Sequence, residues 1–572
     1  MKHFNRITAW LLAVLLVCAL AGCGTQDVSE QAPAASEEEV QAAPESVTEA
    51  PEAETAVPEP EPEASAPEAP ESVLEPEPVE RVAYELPLFE GGKSFSFWSM
   101  YNVFDGGRME FPFWNQLAEA TGVDVEFVEV NIDVCNEKYN LMLASGDLTD
   151  VIWEKSVSLD GSAAYPGGYE KALEDGIYLD LTELVETQCP NYYSLLQENP
   201  SALRDISLDD GRLYSFSQIY SSPMGDVRGN YVQNSVLEAI GYDHVPETVE
   251  EWLDCWKAMV DANACTYYVS DLEDSGIARA FGASDTFLVD RERGEIFYGA
   301  IAEEYREYIA YVAEMYAYGI LNDNYYAEYA SNQDIDAGLY ATFLTRNGGV
   351  ENLTFDVTAI KPMYLEDNPA AQPKLVNYDN YYAQVASDLQ CCVTSACTGE
   401  TLDVVLRWFD FLYSDYGIQI SNYGFDEGVS YEYVDGEIQL TADMLLRDEN
   451  NRIQQMLYTM QTGPSYIYSD IETPLWTEER AEAEAILNDF EPDDCIYMTL
   501  PPISLTAEES NQISAYLSDI SDYVETESLA WITGAKALTD ESWAAFTQTI
   551  GDMGIDECVK LYQAAYDRYQ DR

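Results

Sequence analysis

Residues 138–152, KYNLMLASGDLTDVI, contain the helix-to-strand transition that decides the fold of this chain. A helix is predicted over residues 136–144, with Tyr139, Met142 and Leu143 among its apolar side chains. Ser145-Gly146 closes it, because glycine readily adopts the left-handed conformation that ends helices. Asp150-Val-Ile-Trp153 follows soon after, and its short apolar run predicts a fully buried strand.

The sequence before this stretch shows the same alternation of strand and helix. Strands are predicted at residues 93–98 and 123–130, with a helix between them over residues 111–121 that ends at Gly122. Strand–helix–strand–helix–strand order predicts right-handed crossovers and a parallel sheet. Ligands of such sheets lie beyond the carboxyl ends of the strands.

The later part of the body is predicted to be rich in helices. Thr248 and Glu251 form the T-x-x-E pattern of a capping box at a helix start. Apolar residues at helical spacing follow over residues 305–316, before Gly319, and over residues 402–412, a helix expected to end at Gly417.

Five stretches resemble extracellular solute-binding proteins of family 1, the lipoprotein receptors of bacterial ABC importers. The first is the 138–152 stretch itself. The others follow in the family's order: DGRLY at 210–214; VPET at 245–248 with EW at 251–252; GFDEGVSY at 424–431 with VDG at 434–436; and ITG at 532–534 with GID at 554–556 and AYDRY at 565–569. Together they are spread over nearly the whole body, and their order makes the resemblance specific.

The resemblance implies an α/β, two-lobe fold of the periplasmic-binding-protein type, with hinge strands and a ligand cleft between the lobes. We expect lobe 1 at about residues 90–222 and 343–392, and lobe 2 at about 223–342 and 393–572. Chain crossings are expected near residues 221–230, 339–343 and 383–393. The implied function is capture of a solute, in this family mostly a sugar, and not catalysis.

Candidate ligand residues are those whose loops should face the cleft. Sugars are bound by aromatic stacking on their C–H faces and by polar groups on their hydroxyls. Aromatic candidates are Trp98, Tyr101, Trp153 and Tyr165; acidic candidates are Asp147, Asp285 and Glu351; Asn230 and Arg346 could serve as further polar contacts. The two Trp residues could instead cap the core, Asp147 could belong to a helix-ending turn, and Asp285 could simply be solvated.

The amino terminus predicts export and lipid anchoring. Lys2 and Arg6 precede an apolar run over residues 7–21, which is too short to span a bilayer and typical of a signal peptide. The small pair Ala21-Gly22 followed by Cys23 resembles a lipobox, in which Cys23 receives the lipid and begins the mature chain. Residues 1–23 are therefore expected to be a lipoprotein signal peptide. The protein would lie lipid-anchored at the outer face of the cell membrane.

Residues 24–81 are predicted to be a disordered linker between the anchor and the body at residues 82–572. Residues 24–80 include 17 acidic residues and 10 prolines, but no Lys, Arg or aromatic residue. Such a composition buries too little apolar surface to offset the entropy of ordering. The whole chain has a formal net charge of −78, which argues against a nucleic-acid partner.

Cysteine and histidine favour neither a disulfide framework nor a metal site. Outside residues 1–23 the chain has nine cysteines, an odd number without a regular spacing, and its one histidine is His244. We therefore expect small buried thiols, no metal, no cofactor and no histidine-based catalysis.

A receptor for an oligosaccharide explains these features together. A receptor for a peptide or a cationic solute would suit so acidic a chain as well. A lipid-anchored glycoside hydrolase would need a carboxylate pair, and no motif singles one out. The expected partners are a small-molecule solute and ABC permease subunits, with membrane contact through the anchor alone, and the receptor is expected to be a monomer.

Overall fold

The strand–helix alternation predicted from the sequence forms the start of the folded body. The computed structural model describes residues 80–572, except 102–106, 132–133, 155–164, 226–227, 271, 273–275, 323–324, 326–330, 347–348, 351–352, 447–452 and 461–462. Gly122 and Gly146 both have φ +70°, so each ends its helix in the left-handed conformation that the sequence indicated.

The chain first builds most of lobe 1. Its elements are β1 (Lys93–Tyr101), α1 (Pro112–Thr121), β2 (Val123–Asn131), α2 (Cys135–Ser145), β3 (Val151–Glu154), α3 (Gly168–Glu174), α4 (Thr182–Gln188), α5 (Pro190–Glu198), α6 (Pro200–Ile206) and β4 (Phe216–Tyr220). Strands β1, β2 and β3 are parallel, in the spatial order β3-β1-β2.

The chain then crosses to lobe 2. Its elements there are β5 (Arg228–Gln233), α7 (Asn234–Ile240), α8 (Val249–Ala262), β6 (Tyr267–Val269), α9 (Ile277–Phe281), β7 (Phe287–Asp290), β8 (Glu295–Tyr298), α10 (Glu303–Tyr318), α11 (Asn332–Asp336), β9 (Tyr340–Arg346), β10 (Val357–Ala359), β11 (Leu375–Val376) and α12 (Tyr378–Tyr381). The expected capping box of Thr248 and Glu251 is present at the start of α8.

A second crossing returns the chain to lobe 1. The elements are β12 (Val385–Val393), α13 (Glu400–Leu412), α14 (Asp415–Tyr423), β13 (Tyr431–Val434), β14 (Glu437–Leu440), α15 (Gln454–Tyr458) and β15 (Tyr466–Ile467). Strand β12 pairs antiparallel with β3 and β4 and completes a six-stranded sheet in the order β15-β4-β12-β3-β1-β2.

A third crossing takes the chain back to lobe 2. The last elements are α16 (Glu478–Leu487), β16 (Tyr497–Thr499), α17 (Ala507–Ile532), α18 (Asp540–Asp552) and α19 (Ile555–Gln570). Lobe 2 has two four-stranded sheets, in the orders β10-β5-β9-β6 and β11-β16-β7-β8. Its main apolar cluster includes Trp252, Trp256 and Met315, whereas that of lobe 1 includes Phe97, Phe216 and Trp408.

The packing differs from the expected lobe boundaries in two segments. Residues 357–383 pack in lobe 2, although we expected 343–392 in lobe 1. Residues 393–467, expected in lobe 2, pack mainly in lobe 1. The chain does not cross between the lobes at residues 339–343 as expected, because residues 340–343 belong to β9 of lobe 2. The third crossing is the segment 468–477 between β15 and α16.

An amino-terminal strap, which we define as residues 80–89, lies across lobe 1. The Val82 backbone N–H donates to Asn191 Oδ1 at 2.8 Å, and the Tyr84 hydroxyl donates to Asp410 Oδ2 at 2.6 Å. The Leu88 backbone N–H donates to the carbonyl of Thr121 at 2.8 Å. The strap therefore attaches the start of the body to helices of lobe 1, at the point where the predicted linker ends.

The cysteines of the body are buried thiols rather than cross-links. None of the nine forms a disulfide in the described part of the chain, and eight of them are buried. Burial raises the pKa of the Cys255 thiol to about 12 and that of Cys495 to about 11. These side chains therefore act as small apolar groups, as the sequence predicted.

Candidate functional site

The carboxyl ends of five strands in the lobe 1 sheet share one edge. Strands β1, β2 and β3 are parallel, β15 is parallel to β4, and β12 runs antiparallel to its two neighbours. Two crossings leave from this edge after β4 and β15, and the third enters it at the start of β12. Since ligands of such sheets lie beyond these ends, the candidate site is the space between the lobes beside the crossings.

The two indoles among the aromatic candidates, Trp98 and Trp153, lie on opposite faces of this sheet. Trp98 in β1 pairs with Ile152 in β3, so these two side chains share one face of the sheet. Trp153 is the next residue along β3, and its side chain therefore lies on the opposite face. Trp98 is 2% exposed and packs on Tyr139, with ring centroids 5.7 Å apart. Trp153 is 8% exposed, and the Arg108 guanidinium lies 4.3 Å from its ring centroid. The structure does not bring the two indoles together, and their contact with a ligand stays a prediction.

Arg108 contacts Trp153 and is not among the candidates predicted from the sequence. Its backbone N–H donates to Glu129 Oε1 at 2.9 Å, and its side chain is almost fully buried against Trp153. A guanidinium over an indole face is a cation–π contact. No sequence pattern joins Arg108 to Trp153, because the contact depends on how the segment before α1 folds over the sheet.

The other aromatic candidates of lobe 1 differ in their placement. Tyr101 is the last residue of β1 and lies at the expected edge. The hydroxyl of Tyr165 donates to Asp175 Oδ2 at 2.7 Å, and its ring packs edge-on against Tyr178 at 6.2 Å. Tyr165 therefore contributes to the packing of lobe 1. Its stacking role is not tested by these contacts.

The acidic candidates are scattered. Asp147 is exposed just before β3, at the edge of the sheet opposite to the carboxyl ends, and its backbone N–H donates to Ser145 Oγ at 3.4 Å. That position suits the helix-ending turn rather than the cleft. Asp285 precedes β7 in lobe 2, where desolvation by the surrounding protein raises its carboxyl pKa. Glu351 lies outside the described residues.

The two polar candidates of lobe 2 lie in neighbouring strands near the first crossing. Asn230 is half-buried in β5, which begins at Arg228 directly after that crossing. Arg346 is exposed at the end of β9, and its partner in the antiparallel pair is Arg228. The structure thus brings Asn230 and Arg346 to one end of a sheet. Arg228 lies at the same end of the sheet, and it could be identified only from the pairing of β5 with β9.

A polar and aromatic cluster lies against the crossings, and we call Gly225, Arg279, Tyr381, Asn488 and Phe490 the hinge cluster. The Tyr381 hydroxyl donates to Asn488 Oδ1 at 3.0 Å, and the Tyr381 ring packs edge-on against Phe490 at 5.0 Å. The Arg279 guanidinium lies 5.5 Å from the Phe490 ring centroid. A Cβ on Gly225 would lie 3.1 Å from Asn488 Oδ1, so the first crossing approaches this amide closely.

The chemistry of this region is that of recognition. Aromatic faces, an amide, a hydroxyl and guanidinium groups are the set that orients a sugar by stacking and hydrogen bonds. Across the described ranges, no three or more His, Cys, Asp or Glu residues are grouped so that they could hold a metal ion. The same part of the chain has no helix that is long and apolar enough to cross a membrane.

Comparisons with known proteins agree with this architecture. No family model matches the chain. The fructooligosaccharide ABC transporter substrate-binding protein FusA of Streptococcus pneumoniae is 20% identical over 497 residues, which cover 80% of this chain and 86% of FusA.

Solved structures of binding proteins have the same fold. The alginate-binding protein AlgQ2 superposes with a TM-score of 0.65 at 20% identity, covering 85% of this chain and all of AlgQ2. An HMO-binding, ABC-transporter-associated solute-binding protein of Bifidobacterium longum infantis gives 0.65 at 17% identity, with 84% of this chain and 99% of that one covered. FusA in complex with kestose gives 0.63 at 18% identity, with the same shares covered.

The matches cover 80–85% of this chain, and each of these proteins is named as a binding protein rather than an enzyme. The resemblance that the five sequence stretches indicated is thereby confirmed, and the chain has the two-lobe fold of the solute-binding proteins of ABC transporters.

Proposed function

We propose that this protein is an extracellular receptor that captures an oligosaccharide and delivers it to an ABC importer. The observation that carries the proposal is the similarity to FusA over 497 residues, together with the shared fold of FusA bound to kestose. A receptor needs a cleft that closes around the solute rather than a reactive group, and we place this cleft between the lobes, beside the three crossings and the hinge cluster.

The proposed contacts come from both lobes. In lobe 2, Asn230 and the hinge cluster offer amide, hydroxyl and guanidinium groups next to aromatic rings. In lobe 1, Tyr101 lies where β1 ends. A solute between these surfaces would stabilise the closed arrangement, because it contacts both lobes only when they approach each other.

We further propose that the body is tethered to the outer face of the cell membrane. Cys23 would carry the lipid, and residues 24–81 would form the extended linker. Stable anchoring needs more than one acyl chain, which a lipidated amino-terminal cysteine provides. From there a monomeric receptor would meet the permease subunits of its importer.

The proposal is tested by ligand binding to the full chain solubilised in detergent. A thermal-shift screen would include fructo-, malto- and human-milk oligosaccharides, with peptides and polyamines beside them. A ligand at 100 times its Kd adds about 2.7 kcal/mol of stability, which gives a clear shift. We expect an oligosaccharide to shift the melting temperature and to remain intact by chromatography. A response to peptides or polyamines alone, or cleavage of the sugar, would refute the proposal.

The anchor has a separate test. Replacing Cys23 with Ser should abolish incorporation of labelled palmitate into the protein. A variant that still incorporates the label would contradict lipidation at this residue.

A further inference from the structure

Helix α14 carries two tyrosines on one face at the surface of lobe 1. Tyr416 and Tyr423 are seven residues apart, which is close to two helical turns, so their side chains lie on the same side of the helix. Tyr416 is 46% exposed, and Tyr423 is half-buried. One face of α14 is therefore lined by aromatic rings over a length of about 10 Å.

Two further tyrosines adjoin Tyr416 from the hairpin of β13 and β14. Tyr431 and Tyr433 are two residues apart in β13 and share one face of the strand, with ring centroids 6.0 Å apart. Tyr433 is 56% exposed. Partial burial raises the pKa of the Tyr431 hydroxyl, and the nearby phenols of Tyr433 and Tyr416 raise it further. The three side chains therefore lie close together.

The other end of this aromatic face reaches the third crossing. The Tyr423 ring lies 6.3 Å from that of Tyr468, the first residue of the crossing, and Tyr468 packs at right angles to Tyr466 of β15 at 5.9 Å. Tyr466 and Tyr468 are both half-buried. A continuous surface thus runs from the crossing outward along lobe 1. We define the tyrosine surface as Tyr416, Tyr423, Tyr431, Tyr433, Tyr466 and Tyr468.

The chemistry of the tyrosine surface suits a sugar. Aromatic rings stack on the C–H faces of sugars, and phenol hydroxyls both donate hydrogen bonds to sugar hydroxyls and accept from them. Core tyrosines use their hydroxyls within the protein: Tyr192 donates to the carbonyl of Ser215, and Tyr378 to Asp205. The six hydroxyls of the tyrosine surface have no hydrogen-bond partner among the residues that the structure describes, and they are available to a ligand.

The charge around the tyrosine surface restricts the ligand further. Residues 415–446 include seven acidic residues and no Lys or Arg. Glu432 lies between the two tyrosines of β13, and Glu437 is close enough to Tyr423 to contribute, after burial and Tyr468, to its raised pKa. Such a surface repels an anionic ligand, whereas the hydroxyls of a neutral sugar can donate to its carboxylates. The surroundings therefore favour a neutral saccharide.

We infer that the captured solute is a neutral oligosaccharide that is longer than the cleft, and that its outer units bind to the tyrosine surface of lobe 1. The inference rests on the proposed function and extends the same site from the third crossing along α14. Because the tyrosine surface belongs to lobe 1 alone, it contacts the sugar before the lobes close as well as afterwards.

The test is calorimetric titration of the full chain in detergent with malto- and fructo-oligosaccharides of increasing length. We expect the affinity to rise at least about tenfold from the shortest saccharide that binds to the longest, because each added sugar ring gains stacking contacts. Oligogalacturonates, which carry carboxylates, should bind more weakly than neutral saccharides of equal length, since the acidic surroundings repel them.

Variants connect the length dependence to the tyrosine surface. Tyr416→Ala and Tyr433→Ala should each weaken binding of the longest saccharide about threefold to tenfold and leave binding of the shortest unchanged. Tyr416→Phe should weaken it less, because it keeps the ring. Tyr516→Ala is the matched control, since Tyr516 is 37% exposed on α17 of lobe 2, next to Gly554, and should leave binding of both unchanged. Melting temperatures without ligand show whether each variant is folded.

The outcomes separate the two proposals. Affinity that does not depend on length, tighter binding of the acidic set, or unchanged binding of the longest saccharide by both Ala variants would overturn the inference and leave a receptor whose sugar lies in the cleft alone. Equal losses for short and long saccharides would also overturn it, because they would indicate a structural effect. Failure of all saccharides to bind would overturn the proposed function and this inference together.

Discussion

Buried carboxylates in this protein are held by tyrosine hydroxyls, which gives one use for its 42 tyrosines. Asp410 in α13 is fully buried and accepts hydrogen bonds from the Tyr84 hydroxyl at 2.6 Å, Asn191 Nδ2 at 2.9 Å and the Tyr192 backbone N–H at 2.9 Å. Burial nevertheless raises the pKa of Asp410. The effect of desolvation on the pKa of Asp410 is therefore larger than that of its hydrogen-bond donors. Loss of any one donor should lower the free energy of unfolding.

Replacing Tyr84 with Phe removes one of the three donors to Asp410 and keeps the ring. We expect the free energy of unfolding to fall by about 1–3 kcal/mol, the usual cost of leaving a buried polar group short of a partner. Tyr433→Phe is the control, because Tyr433 is 56% exposed and should change stability by less than about 0.5 kcal/mol. Thermal unfolding of the two variants side by side tests this, and equal melting temperatures would contradict it.

Asp205 at the end of α6 is a second such carboxylate. It accepts from the Tyr569 hydroxyl at 2.7 Å and the Tyr378 hydroxyl at 3.1 Å, and burial raises its pKa. Between the unfolded pKa of about 3.9 and this raised value, the folded chain binds more protons than the unfolded chain. Lowering the pH through that window therefore stabilises the native protein.

The variant Asp205→Asn has no proton to gain. We expect the native protein to become more stable relative to the variant as pH falls from 7 towards 4, by about 1.4 kcal/mol for each unit by which the pKa is raised. Unfolding of both proteins followed at several pH values measures the difference. A difference that is constant with pH would show that Asp205 titrates alike in the folded and unfolded chains.

Individual elements were predictable where local signals determine them. The first five strands and helices were predicted within a few residues, because apolar periodicity and helix-ending glycines act locally. The helix expected to end at Gly417 instead ends at Leu412, and Gly417 lies inside α14. A glycine can mark a close approach as well as a helix end, and the sequence does not distinguish these cases.

Gly417 is an example of a glycine that is required by close packing and not by the end of a helix. A Cβ at this position would lie 2.0 Å from the carbonyl oxygen of Phe411, part of the rigid backbone at the end of α13. Gly417→Ala should therefore destabilise the protein by about 2–3 kcal/mol through overpacking. Gly551→Ala in α18 meets nothing within 4 Å and should stabilise by up to about 1 kcal/mol, since alanine is the better helix former. Opposite shifts in melting temperature are expected, and equal shifts would refute the packing argument.

The candidate site was less predictable than the elements around it. The sequence named Trp98 and Trp153 as stacking candidates, but the register of β1 with β3 fixes them on opposite faces of the sheet. It named Arg346 without Arg228, because the partner of a strand residue depends on pairing between segments more than 100 residues apart. Strand ends can be read from local patterns, whereas the face and the neighbour of each side chain are set by tertiary register.

At the scale of the whole molecule, the carboxyl-terminal helix ties the two lobes together. Arg568 in α19 and Arg572, two residues after this helix, both donate to Asp209, which follows α6 in lobe 1. The Arg572 side chain is only 4% exposed, and its Nη1 also donates to the carbonyl of Arg204 at 3.3 Å. The lobe boundaries could not be predicted from the sequence, because such contacts join distant parts of the chain. The tie adds a constraint to the three crossings, and removing it should loosen the lobes.

Asp209→Asn tests this tie, because it removes the carboxylate that two arginines share. We expect a loss of stability of about 2 kcal/mol, below the range for a fully buried pair because Asp209 is one-fifth exposed. Hydrogen exchange should become faster in residues 201–214 and 565–572, since both sides of the contact then open more often. Asp567→Asn is the matched control on the same helix, where Asp567 accepts from Gln563 within α19. If exchange in the two segments stayed as slow in Asp209→Asn as in the control, the ion pairs of Asp209 would not contribute to holding the lobes together.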